Sequence, residues 1–347
     1  MRVLFLPDNT AGNPYQRKLA AGLADEGVDV TLASGYPLST ARTIVDTRPD
    51  VVHVHWVAPF VVTESLLGSI VQSIAFLQAT VVAKLLGLDI VWTLHNLSDH
   101  ENAHPGIELA VRRVFARLTD AIIVHCPAAQ DQMERRYGLD TDGKTTVIPH
   151  GHYDGCYENA MEQSEARDRL DIEEDATVFL YFGQIRPYKQ VPELVDTFRG
   201  IEDNSLRLLV AGKPTDEAEA RRVATASEPD KRIHTDLEFI PDDQLQVYFN
   251  AADALVLPYR DILTSGSAIL GMTFGRPVVG PTEGCLPELL DQQSELLYDP
   301  ATESLADALY RTSDLDLATL GAKNRRQILQ YQWDEIAAET RRVYETT

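Results

Sequence analysis

The chain has 347 residues, 44% hydrophobic and 24% charged. This ordinary globular composition excludes long disorder and collagen-like structure, and the length leaves room for two domains. Its 31 Lys and Arg against 53 Asp and Glu give a formal net charge of −22, which sets aside a nucleic-acid partner, because phosphate contacts need clustered cations.

Only 7 of the basic residues are Lys, and an acidic, Lys-poor surface predicts a cytosol of very high salt, where charge is screened over a few ångströms. Cys126, Cys156 and Cys285 have no CxxC spacing, so neither a zinc site nor a disulfide framework is read from them. The opening apolar run is broken at Pro7 and Asp8, too early for a signal peptide, so the expected location is cytoplasmic.

In chain order, Val3 to Leu6 reads as a strand, Asp8 to Pro14 as a polar loop, and the segment bearing Leu19 and Leu23 as a helix. An alternating strand, Val28 to Leu32, completes a βαβ unit whose first loop lies where open α/β sheets bind ligands. Further strands are expected at Val51 to His55, Asp89 to Leu94 and Ala121 to His125, with helices at Leu66 to Leu86 and Gly106 to Leu118. The apolar stretch Leu66 to Leu88 contains Ser69, Gln72, Ser73, Gln78 and Lys84, and so falls short of a membrane span. It reads as a buried helix pair or as a face lying on a bilayer; on so acidic a chain, such docking has to be hydrophobic.

Between Pro149 and Glu174 the apolar periodicity lapses and acidic residues gather, which marks a domain boundary. A second series follows: strand Thr177 to Phe182, helix Pro192 to Arg199, strand Arg207 to Ala211, helix Asp216 to Ala226 and strand Ile233 to Phe239. It continues through helix Asp242 to Ala251, strand Ala254 to Leu257, helix Ser267 to Phe274 and strand Pro277 to Gly280. The tail from Gln332 to Tyr344 has the pattern of an amphipathic helix. The expected fold class is therefore α/β, two doubly wound domains with a cleft between them, spanning residues 1–160 and 161–330. Residues 331–347 are expected to form a helix packing back on the first domain.

Two windows carry chemistry. In Phe179 to Val195, a strand ends at Phe182-Gly183 and turns into a loop with Arg186 and Lys189 before a helix; two cations beside a glycine turn suit a diphosphate. In the second, Thr264, Ser265, Gly266 and Ser267 precede an apolar helical run, whose open N–H groups and small residues suit an anion, although Ser265 or Thr264 also reads simply as an N-cap. His53 and His55 alternate on one strand face; without a third ligand, lining a cleft is the better reading than binding metal, and Trp56 joins them there. His150 and His152 flank Gly151 and read as hinge or cleft edge, and Asp99, His100, Glu101 and His104 form a polar loop.

The order of these pieces resembles the GT-B nucleotide-sugar glycosyltransferases, in particular the retaining glycosyltransferase family 4. The matching segments are DNTAGNPYQRKLAAGL, VVHVHW, VWTLHN, VIPHGHYD, YFGQIRPYKQVPELV, LLVAGKP, LEFIPDDQLQVYFNAADALVLPY and GRPVVGPTEGCLPELL, which run through nearly the whole chain. With the acidic composition, the resemblance implies a haloarchaeal member. It further implies two Rossmann-like domains facing a central cleft, the acceptor in the first and the nucleotide-sugar in the second, and catalysis without a cofactor or metal. By the same resemblance Arg186, Lys189 and His95 are catalytic. Gly12, Gly183, Arg186, Lys189, Ser265, Gly266 and Ser267 hold the donor diphosphate. Gly212, Ile240, Leu270 and Glu288 face the donor sugar and nucleotide, and Asn13, His55, Trp56 and His100 face the acceptor. Tyr248 and Asp253 match scaffold positions.

One departure is plain. The family's E-x7-E glutamates fall here at Ile262 and Leu270, neither of which hydrogen-bonds through its side chain. The implied activity is transfer of a sugar to a glycan or lipid-linked acceptor in surface polysaccharide or glycoprotein synthesis, with peripheral membrane contact through the first domain. The missing glutamates keep open a non-catalytic GT-B partner of an active transferase. A sugar-nucleotide epimerase is the other alternative, although it needs carboxylates in the cleft for proton abstraction and the missing pair does not favour it.

Overall fold

The computed structural model describes residues 1–35, 37–99 and 103–347. The chain divides into two compact units, Met1–Gly151 with Tyr331–Thr347, and His152–Gln330.

Unit 1 contains β1 (Arg2–Leu6), α1 (Pro14–Asp25), β2 (Asp29–Leu32), α2 (Pro37–Thr47), β3 (Val51–Val54) and α3 (Leu66–Leu85). It continues through β4 (Asp89–Thr93), α4 (Pro105–Leu118), β5 (Ala121–Val124), α5 (Pro127–Tyr137) and β6 (Thr145–Val147). The six strands form one sheet in the order β2-β1-β3-β4-β5-β6, with every pairing parallel. Helices cover both faces of such a sheet, which is why the central strands read as unbroken apolar runs.

Unit 2 contains α6 (Gln163–Arg169), β7 (Thr177–Phe182), α7 (Val191–Arg199), β8 (Leu206–Ala211), α8 (Glu217–Ser227), β9 (Ile233–Asp236) and α9 (Leu245–Ala251). Next come β10 (Ala254–Val256), α10 (Gly266–Thr273), β11 (Val278–Pro281), α11 (Leu286–Leu289), β12 (Leu297–Tyr298), α12 (Leu305–Arg311) and α13 (Leu317–Ile328). Its parallel sheet runs β12-β11-β10-β7-β8-β9, so the strand order reverses between β7 and β10. The last helix, α14 (Trp333–Thr346), belongs to unit 1 and packs along α1. Trp333, Ile336, Ala337, Val343 and Tyr344 enter the core formed by Tyr15, Leu19 and Leu23. The two helices approach closely because Gly22 has no side chain: a Cβ there would lie 2.8 Å from that of Ala337.

Both units are the doubly wound α/β layers expected. Several local expectations change. Leu66 to Leu85 is one helix, not a pair, and by length and composition alone it could cross a bilayer. It packs on unit 1 through Phe76, Ala79 and Ala83 while Leu67, Ile74 and Leu85 stay exposed. The acidic stretch before residue 174, read as the domain boundary, holds α6, anchored by buried Arg167 on the carboxylate of Asp253 (2.7 Å) and the carbonyl of Ala251 (3.1 Å). Asp253 also accepts from the Val178 N–H at 2.7 Å, a scaffold role. Strand β9 ends at Asp236, short of Phe239, which is exposed.

Candidate functional site

In a doubly wound sheet, ligands bind beyond the carboxyl ends of the strands where the order reverses. In unit 2 that point lies between β7 and β10, and the residues beyond them are Gly183 and the segment from Leu257 to the start of α10. Gly183 has φ +125° and Gly212, at the end of β8, has φ +150°. A Cβ on Gly212 would lie 2.0 Å from the Gly183 carbonyl oxygen, so neither turn accepts a side chain in this conformation. A Cβ on Gly183 would lie 3.2 Å from Ser267 Oγ and 3.6 Å from Lys189 Nζ. The glycine thus leaves a small space bordered by a hydroxyl and an ammonium group. Arg186, on the same loop, donates from Nε and Nη2 to Gln184 Oε1 at 3.0 and 2.8 Å.

Ser265 caps α10: its side chain accepts from the Ala268 N–H at 3.1 Å. The capping role is therefore real, and the first N–H groups of the helix, including those of Gly266 and Ser267, stand at its open end. Gly275, at φ +70°, ends the helix as a C′ glycine. Ile262 and Leu270, at the two positions where family 4 carries glutamate, are both buried. Gly212 backs the Gly183 turn, Ile240 and Leu270 are buried, and Glu288 is an exposed residue of α11. Tyr259, which sequence reasoning passed over, is buried, and Lys189 Nζ sits 5.2 Å from its ring centroid. Its signal was position: three residues beyond a strand at the switch point.

In unit 1 the order reverses between β1 and β3. The loop after β1 carries Gly12, which is exposed, and Asn13, whose side chain caps α1 by accepting from the Tyr15 N–H at 2.8 Å. Gln16, wholly buried, holds this loop by donating to the Pro7 carbonyl and accepting from the Asn9 N–H, both at 2.8 Å.

At the carboxyl ends of the strands the described residues hold a cluster of five buried histidines: His53 on β3, His55 after it, His95 after β4, His125 after β5 and His150 after β6. Tyr15 stands among them, its ring centroid 4.9 Å from that of His95 and 4.7 Å from that of His150. Trp56 stacks on His95 at 4.5 Å. His100, expected at the acceptor, lies outside the described residues.

The hydrogen bonds set a direction through this cluster. The Ile148 carbonyl can only accept, so His125 Nδ1, 2.9 Å away, carries the proton. His125 Nε2 then accepts from His95 Nδ1 at 3.3 Å, and His95 Nε2 accepts from His55 Nδ1 at 3.4 Å. The chain ends at His55 Nε2, a buried lone pair with no hydrogen-bond partner among the described residues. His53 is engaged at both nitrogens, by Tyr344 Oη at 2.6 Å and Thr93 Oγ1 at 2.7 Å, and offers no lone pair to a metal shared with His55. Burial holds His53 and His150 down to about 3 and His125 to about 4. His55 and His95 are held well below the usual value, by burial first and neighbouring imidazoles second. The rings are neutral and can accept or donate hydrogen bonds to hydroxyl groups. Of this cluster, the residue pattern places His55 and Trp56 at the site and the family resemblance adds His95, whereas neither points to His125 or Tyr15. The signal was the placing of a histidine just beyond each of four strands: VHVH, TLH, IVH and VIPH.

Comparison with known proteins bears on both units. A glycosyltransferase family 4 model matches residues 33–152 and a glycosyl transferases group 1 model matches residues 176–314. A GDP-mannose:glycolipid 4-beta-D-mannosyltransferase from Xanthomonas campestris pv. campestris is 28% identical over 288 residues, covering 80% of this chain and 73% of the relative. A D-inositol 3-phosphate glycosyltransferase from Streptomyces scabiei is 26% identical, covering 76% of this chain and 64% of the relative. Among solved structures, sucrose-phosphate synthase from Thermosynechococcus elongatus superposes with a TM-score of 0.77 at 19% identity, over 99% of this chain and 98% of that one. Anabaena HepE in complex with UDP and glucose gives 0.75 at 17% identity over the whole of both chains. With one family model on each unit and the GT-B fold shared with these structures, the chain belongs to the glycosyltransferase group 1/family 4 superfamily.

Proposed function

We propose that this protein transfers a glycosyl group from a nucleoside diphosphate sugar, bound by unit 2, to a glycan or lipid-linked acceptor, bound by unit 1, in surface polysaccharide or glycoprotein synthesis. The observation that carries this reading is the convergence of Gly183, Lys189 and Ser267 at the switch point of unit 2. Departure of a nucleoside diphosphate builds negative charge on its phosphate oxygens, and fixed donors aimed at that charge lower the barrier. Lys189, Arg186 and the start of α10 supply such donors, so no metal or other cofactor is called for. His95 is assigned a catalytic role with Arg186 and Lys189; Gly12 is assigned to the diphosphate, Gly212, Ile240, Leu270 and Glu288 to nucleotide and sugar, and Asn13, His55, Trp56 and His100 to the acceptor.

Incubation with GDP-mannose and a panel of UDP- and dTDP-sugars in molar salt tests the reading. The expected result is transfer, or slow donor hydrolysis without acceptor, and a fall of about 10²- to 10³-fold in Lys189→Ala. Full activity in Lys189→Ala overturns the assignment. Epimerised donor would mark an epimerase, and binding without turnover a non-catalytic partner.

We also propose contact with the inner face of the cell membrane through α3. Its exposed Leu67, Ile70, Val71, Ile74, Val81 and Leu85 recur at helical spacing, and one relative is named for a glycolipid acceptor. Because the protein is strongly acidic, binding is expected to neutral phosphatidylcholine vesicles and to persist in high salt. A Leu67→Glu/Ile74→Glu variant should stay in the supernatant on co-sedimentation; equal pelleting of variant and wild type would dismiss the contact.

A further inference from the structure

We propose that Tyr259 is a further ligand of the donor diphosphate, its phenol hydroxyl donating a hydrogen bond to the phosphate held between Lys189 and the start of α10. This assignment rests on the donor-site reading above and adds a residue to it.

Tyr259 lies on the extension of β10. The Leu257 N–H donates to the Val279 carbonyl at 2.8 Å, and the Arg260 N–H to the Tyr188 carbonyl at 3.1 Å, so the backbone on either side is fixed. The residue is 4% exposed, and its hydroxyl is buried with no hydrogen-bond partner among the described residues. A buried hydroxyl left unsatisfied costs stability, and a phenylalanine would fill the same space without that cost. The hydroxyl therefore stands open to a further partner.

Its surroundings indicate what it serves. The hydroxyls of Ser267 and Ser265 at the start of α10 lie close enough to oppose the effect of burial on the phenol, without making a hydrogen bond of regular geometry to it. Lys189 lies over the ring, within reach of a cation–π attraction that holds the ammonium group at this spot. Ser267 Oγ and Lys189 Nζ both border the space left by the missing side chain of Gly183. An unsatisfied donor, a cation, serine hydroxyls and a helix start thus surround one place, and a phosphate oxygen is the group that satisfies them together. Burial pushes the phenol up to about 12, so it keeps its proton at working pH and presents a donor, as an anion requires. Where family 4 has carboxylates, Ile262 and Leu270 add no negative charge to this region.

Tyr259→Phe keeps the ring under Lys189 and removes only the hydroxyl. Calorimetric titration of wild type and variant with UDP and with GDP, in molar salt, tests the proposal together with the melting temperature of each free protein. The expected result is a roughly tenfold weaker affinity for whichever diphosphate the wild type binds, with a free-protein melting temperature equal to or above that of wild type. Equal affinity in variant and wild type overturns the Tyr259 assignment and leaves the donor site standing. Failure of the wild type to bind either diphosphate overturns the donor-site reading, and the Tyr259 assignment with it.

Discussion

Acidification from pH 7 to pH 5 is expected to unfold unit 1, even in molar salt. Its five buried histidines are neutral in the folded state: His53 and His150 at about 3, His125 at about 4, His55 and His95 well below the ordinary value of 6.5. In the unfolded chain each ring takes up a proton as the pH falls through about 6.5, whereas the folded unit refuses it. The stability these rings allow is therefore fully present above that pH and is lost as the pH falls toward their folded values. Each ring forfeits about 2 kcal/mol between pH 7 and pH 5, and five together on the order of 9 kcal/mol, comparable to the whole stability of a domain. Salt does not rescue it, because desolvation rather than surface charge causes the shifts. Trp56, Trp92 and Trp333, the three tryptophans of the chain, all lie in unit 1, so their fluorescence follows this unit alone. The urea midpoint read by tryptophan emission should fall steeply from pH 7 to pH 5. A midpoint flat over that range would refute the neutral, buried cluster.

Glu108→Ala is expected to cost about 3–5 kcal/mol, because it strands a buried cation. Glu108 and Arg112 face each other one turn apart on α4, both buried, with Arg112 Nε 2.7 Å from Glu108 Oε1. The carboxylate also accepts from the Asp99 N–H at 2.9 Å, and Arg112 Nη1 donates to the Asn96 carbonyl at 2.9 Å. The pair thus ties down the loop that follows His95, with help from Tyr137, whose hydroxyl donates to the Leu97 carbonyl at 2.8 Å. Loss of the carboxylate should lower the melting temperature on the order of 10 °C. Replacing both partners together, Glu108→Leu with Arg112→Met, should recover most of that loss, since the cost lies in the unpaired charge. A double variant no better than Glu108→Ala would show that the loop contacts, and not the ion pair, carry the stability.

How much could be read beforehand differs from element to element. The central strands were legible because they are buried on both faces and so are apolar without interruption, as in VLFL of β1 and AIIV of β5. Helix α5 was not, because only Ala129, Met133 and Tyr137 of its eleven residues are buried, a stripe too narrow to stand out among charges. Strands β6 and β12 are short edge strands of three and two residues, held by one neighbour each, and carry little local signal. At the candidate site, Gly183, Lys189 and Ser267 could be named from local chemistry. Tyr259 and Gln16 could not, since nothing in a tyrosine or glutamine codon announces burial; their roles follow from what surrounds them.

The sequence by itself determined the alternation of strand and helix, the glycines at which loops turn, and the polar residues that end each strand. These are short-range matters, settled by burial pattern and turn chemistry within a few residues. Only the tertiary structure decided which strand ends stand side by side. The order β12-β11-β10-β7-β8-β9 sets Gly183 beside Ser267, and the order β2-β1-β3-β4-β5-β6 brings four histidine-bearing strand ends side by side, three of them, His55, His95 and His125, in one hydrogen-bonded row. Strand order comes from right-handed crossovers and from burying both faces of a parallel sheet, a global condition that no local window contains.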